Sequence, residues 1–121
     1  MGNYKDLEIY KFAFELARRV HAASLKLPSF ELFEQGSQIR RSSKSIKDQI
    51  AEGYGRRRYK ADLIKFLVYS QASCDETTSQ LEMIIVLYPN LQEFSDLLPE
   101  YSVLGRKINH FIQYVETNWK T

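Results

Sequence analysis

The chain has 121 residues, of which 44% are hydrophobic, 13% aromatic and 26% charged, and its formal net charge at pH 7 is +2. These proportions are ordinary for a folded globular protein with one core and exclude a disordered chain, so we expect residues 1–121 to form a single domain. The sequence shows no secretory signal, no apolar run near the roughly 20 residues that span a bilayer, and one cysteine that cannot form an internal disulfide, so we expect a cytoplasmic protein without a membrane partner.

The first predicted helix ends before Pro28 and carries two apolar stripes, which lie about 130° apart on the helix surface. A surface helix needs only one apolar stripe of about 100°, so this helix must be covered on both sides. Neighbouring helices account for part of the cover, and we expect a second copy of the protein to supply the rest. One stripe consists of Leu7, Tyr10, Phe14, Ala17, His21 and Leu25, and the other of Ile9, Ala13, Leu16, Val20 and Leu27.

The second predicted helix ends near Gly53 and Gly55, and positive charge collects along it and in the turn that follows. Residues 36–60 hold eight basic and two acidic residues, whereas residues 61–121 hold four basic and eight acidic ones. Because like charges four residues apart repel within a helix, helix stability does not explain this basic set. Its members are Arg40, Arg41, Lys44 and Lys47 on the helix, and Arg56, Arg57, Arg58 and Lys60 after it.

The basic set has two interpretations. Eight cations in 25 residues favour contacts with phosphates, which supply salt-sensitive affinity for a nucleic acid without reading its sequence. The alternative is a solvated face that keeps the protein soluble. Tyr54 and Tyr59 lie among the arginines, where they could stack on exposed bases or serve as ordinary turn residues.

The third and fourth predicted helices are separated by Pro89 and Asn90, and each has one apolar face. Pro99 interrupts the fourth pattern early, which places it in the first helical turn or at a kink. No segment of any length alternates as a strand does. Four helices of about 20 residues with short connections predict an all-α protein with the antiparallel up-down arrangement of a four-helix bundle. The third apolar face comprises Leu63, Phe66, Leu67, Ser70, Cys74, Thr77, Leu81, Ile84, Ile85 and Tyr88.

No constellation of residues predicts catalysis, a metal or a cofactor, so we expect a protein that is not an enzyme. Di-iron bundles need Glu three residues before His, and neither His21 nor His110 has it. Cys74 lies on the core face of its helix, where a thiol is unreactive. The two glycines lack the Gly-Lys-Ser/Thr ending of a phosphate loop and instead indicate a helix end that needs glycine's backbone freedom.

Two motifs resemble those of a known family. Gln38-Ile39-Arg40-Arg41 and Ala51-Glu52-Gly53 with Gly55-Arg56, together with Leu27-Pro28, Phe66-Leu67, Ser73 and Glu76, resemble the four-helix bundle proteins related to the 23S rRNA intervening-sequence protein, also called the S23 ribosomal-protein-like family. The resemblance runs over most of the chain, although the fourth helix shares only its amphipathic character.

The resemblance implies a small bacterial bundle protein that forms a ring-like homopentamer and binds nucleic acid, RNA rather than DNA. It also implies that partners such as a ribosome or a reverse transcriptase are to be considered. Under this hypothesis the eight cations listed above contact phosphates, and copies of the basic patch around a ring add avidity. The competing hypothesis is an interaction scaffold or accessory subunit whose basic face binds an acidic partner protein or a reverse transcriptase.

Overall fold

A computed structural model of the chain describes residues 2–120. It contains four α-helices, α1 (Glu8–Ser24), α2 (Gln35–Gly55), α3 (Lys60–Leu87) and α4 (Gln92–Asn118), and two short 3₁₀ helices, Tyr4–Asp6 and Ser29–Phe33. No strand occurs in this part of the chain. The prediction of an all-α protein with four helices is therefore confirmed. Between residues 2 and 120, no helix combines the length and the apolar character needed to cross a membrane.

Each helix packs against two others. α1 contacts α2 and α4, and α3 contacts the same two helices, so α1 and α3 lie at opposite corners of the fold. Ion pairs between α1 and α4 join Glu8 to Lys107 and Arg19 to Glu100, so residue numbers rise along one helix as they fall along the other. The side chains between the helices form one core, in which Tyr54, Phe94 and Tyr101 are the largest fully buried members.

The two stripes of α1 have different environments. Ile9, Leu16 and Val20 belong to the stripe that is buried in the core. In the other stripe, Ala17 is buried, but the side chains of Phe14 and Leu25 are 49% and 61% exposed. One stripe is thus covered by neighbouring helices, and most of the other remains on the surface of the chain.

α2 and α3 approach each other closely along a seam of small and polar residues. Ser70 Oγ donates to the carbonyl of Ile46 (2.8 Å), and Thr77 Oγ1 donates to Ser42 Oγ (2.9 Å). A methyl group added at Gly53 would lie 2.9 Å from Phe66 Cβ and 3.3 Å from the carbonyl oxygen of Leu63. The small residues on α2 thus allow α3 to approach its backbone closely.

One local expectation was wrong, and for Pro99 one of the two expected positions, the first helical turn, is excluded. No glycine between residues 2 and 120 has a positive φ, so Gly53 and Gly55 do not supply left-handed backbone at a helix end. Gly53 instead provides space, and both glycines lie inside α2, which ends at Gly55. Pro99 is inside α4, beyond its first turn, because that helix already begins at Gln92.

Candidate nucleic-acid interface

The eight predicted phosphate contacts divide into two groups. Arg40, Arg41, Lys44 and Lys47 lie on the first half of α2, whereas Arg56, Arg57 and Arg58 lie in the turn after it and Lys60 is the first residue of α3. Eight residues of helix lie between Lys47 and Arg56, and the nine steps from one to the other correspond to about 14 Å along the axis. The carboxylates of Asp48 and Glu52 lie in this interval. The basic set is therefore an elongated and interrupted band.

Arg40 is an internal clamp. Its Nη1 donates to Ser24 Oγ at the end of α1 (2.9 Å), and its Nη2 donates to the carbonyl of Leu32 in the second 3₁₀ helix (2.6 Å). The guanidinium also lies 2.9 Å from the position that a methyl group on Gly36 would occupy. Arg40 is half-buried and joins three segments of the chain, so its hydrogen-bonding capacity is largely used inside the protein.

The next three cations of α2 face outward to different degrees. Arg41 is exposed and donates only to Ser37 Oγ (3.3 Å). Lys44 is exposed and has no carboxylate within 4.0 Å among the described residues. Lys47 has a side chain that is only 23% exposed, pairs with Asp48 (2.6 Å) and lies over the ring of Phe14. Arg41 and Lys44 are thus the cations of this group that are available to a ligand.

The turn after α2 is held by contacts of its own arginines. Arg57 lies 4.3 Å from the ring centroid of Tyr54 and donates to the carbonyl of Tyr54 (2.8 Å). The carbonyl of Arg57 in turn accepts from the indole of Trp119 (2.9 Å). Arg57 therefore adds a side-chain hydrogen bond to a carbonyl that also accepts from its own main-chain N–H, and its charge lies at the negative end of the α2 dipole. Because Tyr54 is buried under this arginine, it cannot stack on a base.

The remaining cations of the turn are more exposed. Arg56 pairs with Glu52 (2.8 Å) and is 3.8 Å from Asp62, and it also covers the ring of Phe66. Arg58 is exposed, lies near the ring of Tyr59 and has no carboxylate within 4.0 Å in residues 2–120. Tyr59 is 59% exposed, so stacking on a base is open to this tyrosine alone of the two predicted.

Lys60 is half-buried and donates to the carbonyl of Glu116 near the end of α4 (2.7 Å). The structure thus brings out Arg41, Lys44 and Arg58 as exposed cations without an internal carboxylate. Arg40, Arg57 and Lys60 hold the fold together through main-chain carbonyls, and the other two cations are paired. Sequence position alone contains no signal that separates these three classes.

The residues considered for other chemistry have ordinary surroundings. Burial, and then the negative charge of Asp75, raise the pKa of the Cys74 thiol to about 12, so the reactive thiolate is disfavoured at neutral pH. Cys74 donates to the carbonyl of Tyr101 inside the core. No group of three or more His, Cys, Asp and Glu side chains that could hold a metal was found from residue 2 to residue 120.

A family model for the 23S rRNA-intervening sequence protein matches residues 5–110, which include α1, α2, α3 and most of α4. The chain belongs to this family. No curated protein matches the sequence. The family resemblance seen in the sequence is thereby confirmed, and it reaches further into α4 than the individual motifs indicated.

The residues that carry the resemblance to the 23S rRNA-intervening sequence family have mostly structural positions. In the first motif Ile39 is buried and Arg40 is the clamp described above. In the second motif Gly53 provides the close contact between α2 and α3, and Glu52 pairs with Arg56. Arg41 is the motif residue that is exposed and free of an internal carboxylate. These motifs are therefore explained chiefly by packing.

Proposed function

We propose that the protein is a non-enzymatic RNA-binding protein of the bacterial cytoplasm, an antiparallel up-down bundle that assembles as a homo-oligomer, with a ring of five copies as the expected form. The observation that carries the RNA-binding proposal is that three cations on α2 and in the turn after it are exposed and have no carboxylate within 4.0 Å among residues 2–120, namely Arg41, Lys44 and Arg58. The name of the family, which refers to ribosomal RNA, supports RNA as the ligand.

The proposal depends on electrostatic availability. A cation that already pairs with a carboxylate must break that ion pair before it neutralises a phosphate, whereas an exposed cation without a carboxylate partner breaks no ion pair. Along α2 and the turn, Arg41, Lys44 and Arg58 have this property. Lys47 and Arg56 add positive potential but are offset by Asp48 and Glu52. Tyr59 adds an exposed ring beside Arg58.

The self-association part of the proposal is supported by the surface of α1. Phe14 and Leu25 lie on the stripe of α1 that faces outward, and they are 49% and 61% exposed. Such a stripe is costly to leave in water, and covering it with another copy removes that cost. The ring form is carried over from the family.

The test is a titration of a fluorescent structured ribosomal RNA fragment at about 50 mM and about 200 mM salt. The triple variant Arg41→Gln, Lys44→Gln, Arg58→Gln is compared with a control of equal charge change, Lys11→Gln, Lys65→Gln, Arg106→Gln. The first should weaken binding at least about tenfold and reduce the slope of log affinity against log salt by about two to three. The control should have a small effect.

Two results would contradict the proposal. Absence of binding of the wild-type protein at the lower salt concentration would remove RNA as the ligand and leave the acidic-partner hypothesis. Equal loss of binding in the two triple variants would show that only net charge matters and that the three residues are not a site. Circular dichroism of each variant confirms that helical content is unchanged.

A further inference from the structure

The outward stripe of α1 and the middle of α2 enclose a surface groove of about 480 Å³. We call it the α1 groove, and its floor is formed by Phe14, Ala17, Ala22 and Leu25, with Lys44 and Lys47 on one rim. Arg18 on the opposite rim is already bound to Glu15 (2.5 Å), which lowers the pKa of that carboxyl through its hydrogen bond and its charge. The groove is therefore apolar at its floor and positive on its α2 rim.

A second uncovered apolar surface lies on α3. Val68, Met83 and Val86 are 48%, 50% and 76% exposed. At 100° per residue Val68 and Val86 point in the same direction, and they are about 27 Å apart along the helix. Three exposed carboxylates lie among them, and none has a cation within 4.0 Å in the described chain. We call this surface the α3 face; its members are Val68, Asp75, Glu76, Glu82, Met83 and Val86.

The α1 groove and the α3 face cannot cover each other within one molecule. α1 and α3 each pack against α2 and α4 and so occupy opposite corners of the fold. Both surfaces thus need an external partner, or remain in water at the hydrophobic cost of exposed side chains.

We propose that the α1 groove of one copy binds the α3 face of a second copy. Pairing like with like is disfavoured on both sides, because two grooves would bring Lys44 and Lys47 against the same lysines, and two α3 faces would bring three carboxylates against three carboxylates. Pairing the groove with the face joins apolar to apolar surface and places unpaired carboxylates beside Lys44. The chain itself therefore supplies a partner of complementary charge.

The contact is head-to-tail, because the two interacting surfaces differ. An open chain of copies then retains one free groove at one end and one free face at the other, and pairing of these two surfaces closes a ring. This inference rests on the self-association of the proposed function, and it shares one residue, Lys44, with the proposed RNA contacts. The inference specifies which two surfaces are in contact. The protein can therefore self-associate through other surfaces even if this contact is wrong.

The test uses two variants, each of which disables one surface. The groove variant, Ala22→Glu and Leu25→Glu, places acids opposite the acidic α3 face and changes exposed residues outside the proposed RNA contacts. The face variant, Val68→Lys and Val86→Lys, places cations opposite the lysines of the groove. Tyr114→Lys on α4 is the control, since Tyr114 is similarly exposed (52%) but belongs to neither surface. Mass is measured by light scattering at equal protein concentration.

Wild type and the Tyr114→Lys control should be oligomers, and each surface variant alone should have the monomer mass of 14.2 kDa. An equimolar mixture of the groove and face variants should form a species of at least twice that mass, because the groove of the face variant and the face of the groove variant are both intact. Circular dichroism verifies that both variants fold.

Several outcomes would overturn the inference. A monomeric wild-type protein would remove self-association and this contact together. An oligomeric wild type whose two surface variants also remain oligomeric would show that other surfaces meet. A face variant that still self-associates while the groove variant does not would indicate groove-to-groove pairing. RNA affinity of an Arg41→Gln, Arg58→Gln variant, whose changes lie outside the groove lining, tests the RNA proposal separately.

Discussion

Replacement of Gly53 by Ala tests how closely α2 and α3 are packed. A methyl group at this position would lie 2.9 Å from Phe66 Cβ and 3.3 Å from the carbonyl oxygen of Leu63, and neither atom can rotate away because both belong to or adjoin the backbone. Gly55, two residues later in the same helix, has nothing within 4 Å of the corresponding position. The two glycines therefore form a matched pair that differs in the space around them.

Two effects of the Gly53→Ala substitution on the free energy of unfolding have opposite signs. Overpacking a tight contact costs about 1–3 kcal/mol. Replacement of Gly by Ala within a helix raises the free energy of unfolding by up to about 1 kcal/mol, because Ala has the higher helix propensity. The contacts at Gly53 are close on two sides, so we expect Gly53→Ala to lower the free energy of unfolding by about 1–2 kcal/mol. Gly55→Ala, at the helix end and without a positive φ, should raise it by up to about 0.5 kcal/mol.

The assay is thermal unfolding followed by circular dichroism, with both variants at the same protein concentration because association would shift the midpoint. For a chain of this length the unfolding entropy is about 0.25 kcal/mol per degree. A difference of about 2 kcal/mol between the variants therefore separates their midpoints by about 8 °C. Equal midpoints, or a more stable Gly53→Ala, would show that α2 and α3 are not in close contact at Gly53.

Two further predictions follow from the buried thiol and the clamp. Burial and Asp75 raise the pKa of Cys74 from about 9 to about 12, so a thiol reagent at pH 8 should modify the native protein about 1,000-fold more slowly than the unfolded chain. The stability that the protonated Cys74 thiol contributes below pH 9 should be lost as the pH rises towards 12. Similar modification rates for the native and the unfolded protein would contradict the burial of Cys74. Arg40→Gln should lower the free energy of unfolding, measured in urea, by about 1–3 kcal/mol and leave RNA affinity unchanged. Arg41→Gln should change the free energy of unfolding by less than about 0.5 kcal/mol and weaken RNA binding. The reverse pattern would show that Arg41 is the structural residue and Arg40 the RNA contact.

The helices and the core of this protein follow from sequence periodicity because both depend on local spacing. On α3, the predicted apolar face includes Leu63, Leu67, Cys74 and Leu81, and all four are buried. An apolar stripe that repeats over seven turns has one stable arrangement in water, with the stripe inside. The same reasoning locates the α2–α3 seam, since Gly53 and the serines leave room for a neighbour.

On α1, periodicity could not decide which stripe is inside. Leu16 and Phe14 are both apolar and both recur at helical spacing, but the first is fully buried and the second is 49% exposed. The choice depends on how α2 and α4 approach α1, which is a property of the whole fold. His21, on the same stripe as Phe14, is exposed for the same reason.

The roles of individual cations were also beyond local reasoning. Arg40 is engaged by Ser24 and by the carbonyl of Leu32, which are 16 and 8 residues away in sequence. A helical wheel places Arg40 beside Lys44 on one basic side, but a wheel does not contain the 3₁₀ helix that bends back over that side. The Arg40 side chain is long and its guanidinium has five N–H donors, so it can bond to two acceptors at once. The more strongly hydrated ammonium group of a lysine stays in the solvent more readily.

These placements separate what family membership explains from what it leaves open. The motifs of the 23S rRNA-intervening sequence family include a buried Ile39, the Arg40 clamp and the close contact at Gly53, so a match to them reports the fold before it reports a ligand. The cations without a structural task lie partly outside those motifs. Lys44 is one of them, and it also borders the α1 groove. The proposed assembly and the proposed RNA binding thus share Lys44. Of the three exposed cations on α2 and in the turn after it that have no carboxylate within 4.0 Å among the described residues, a copy whose groove is filled has Arg41 and Arg58 left.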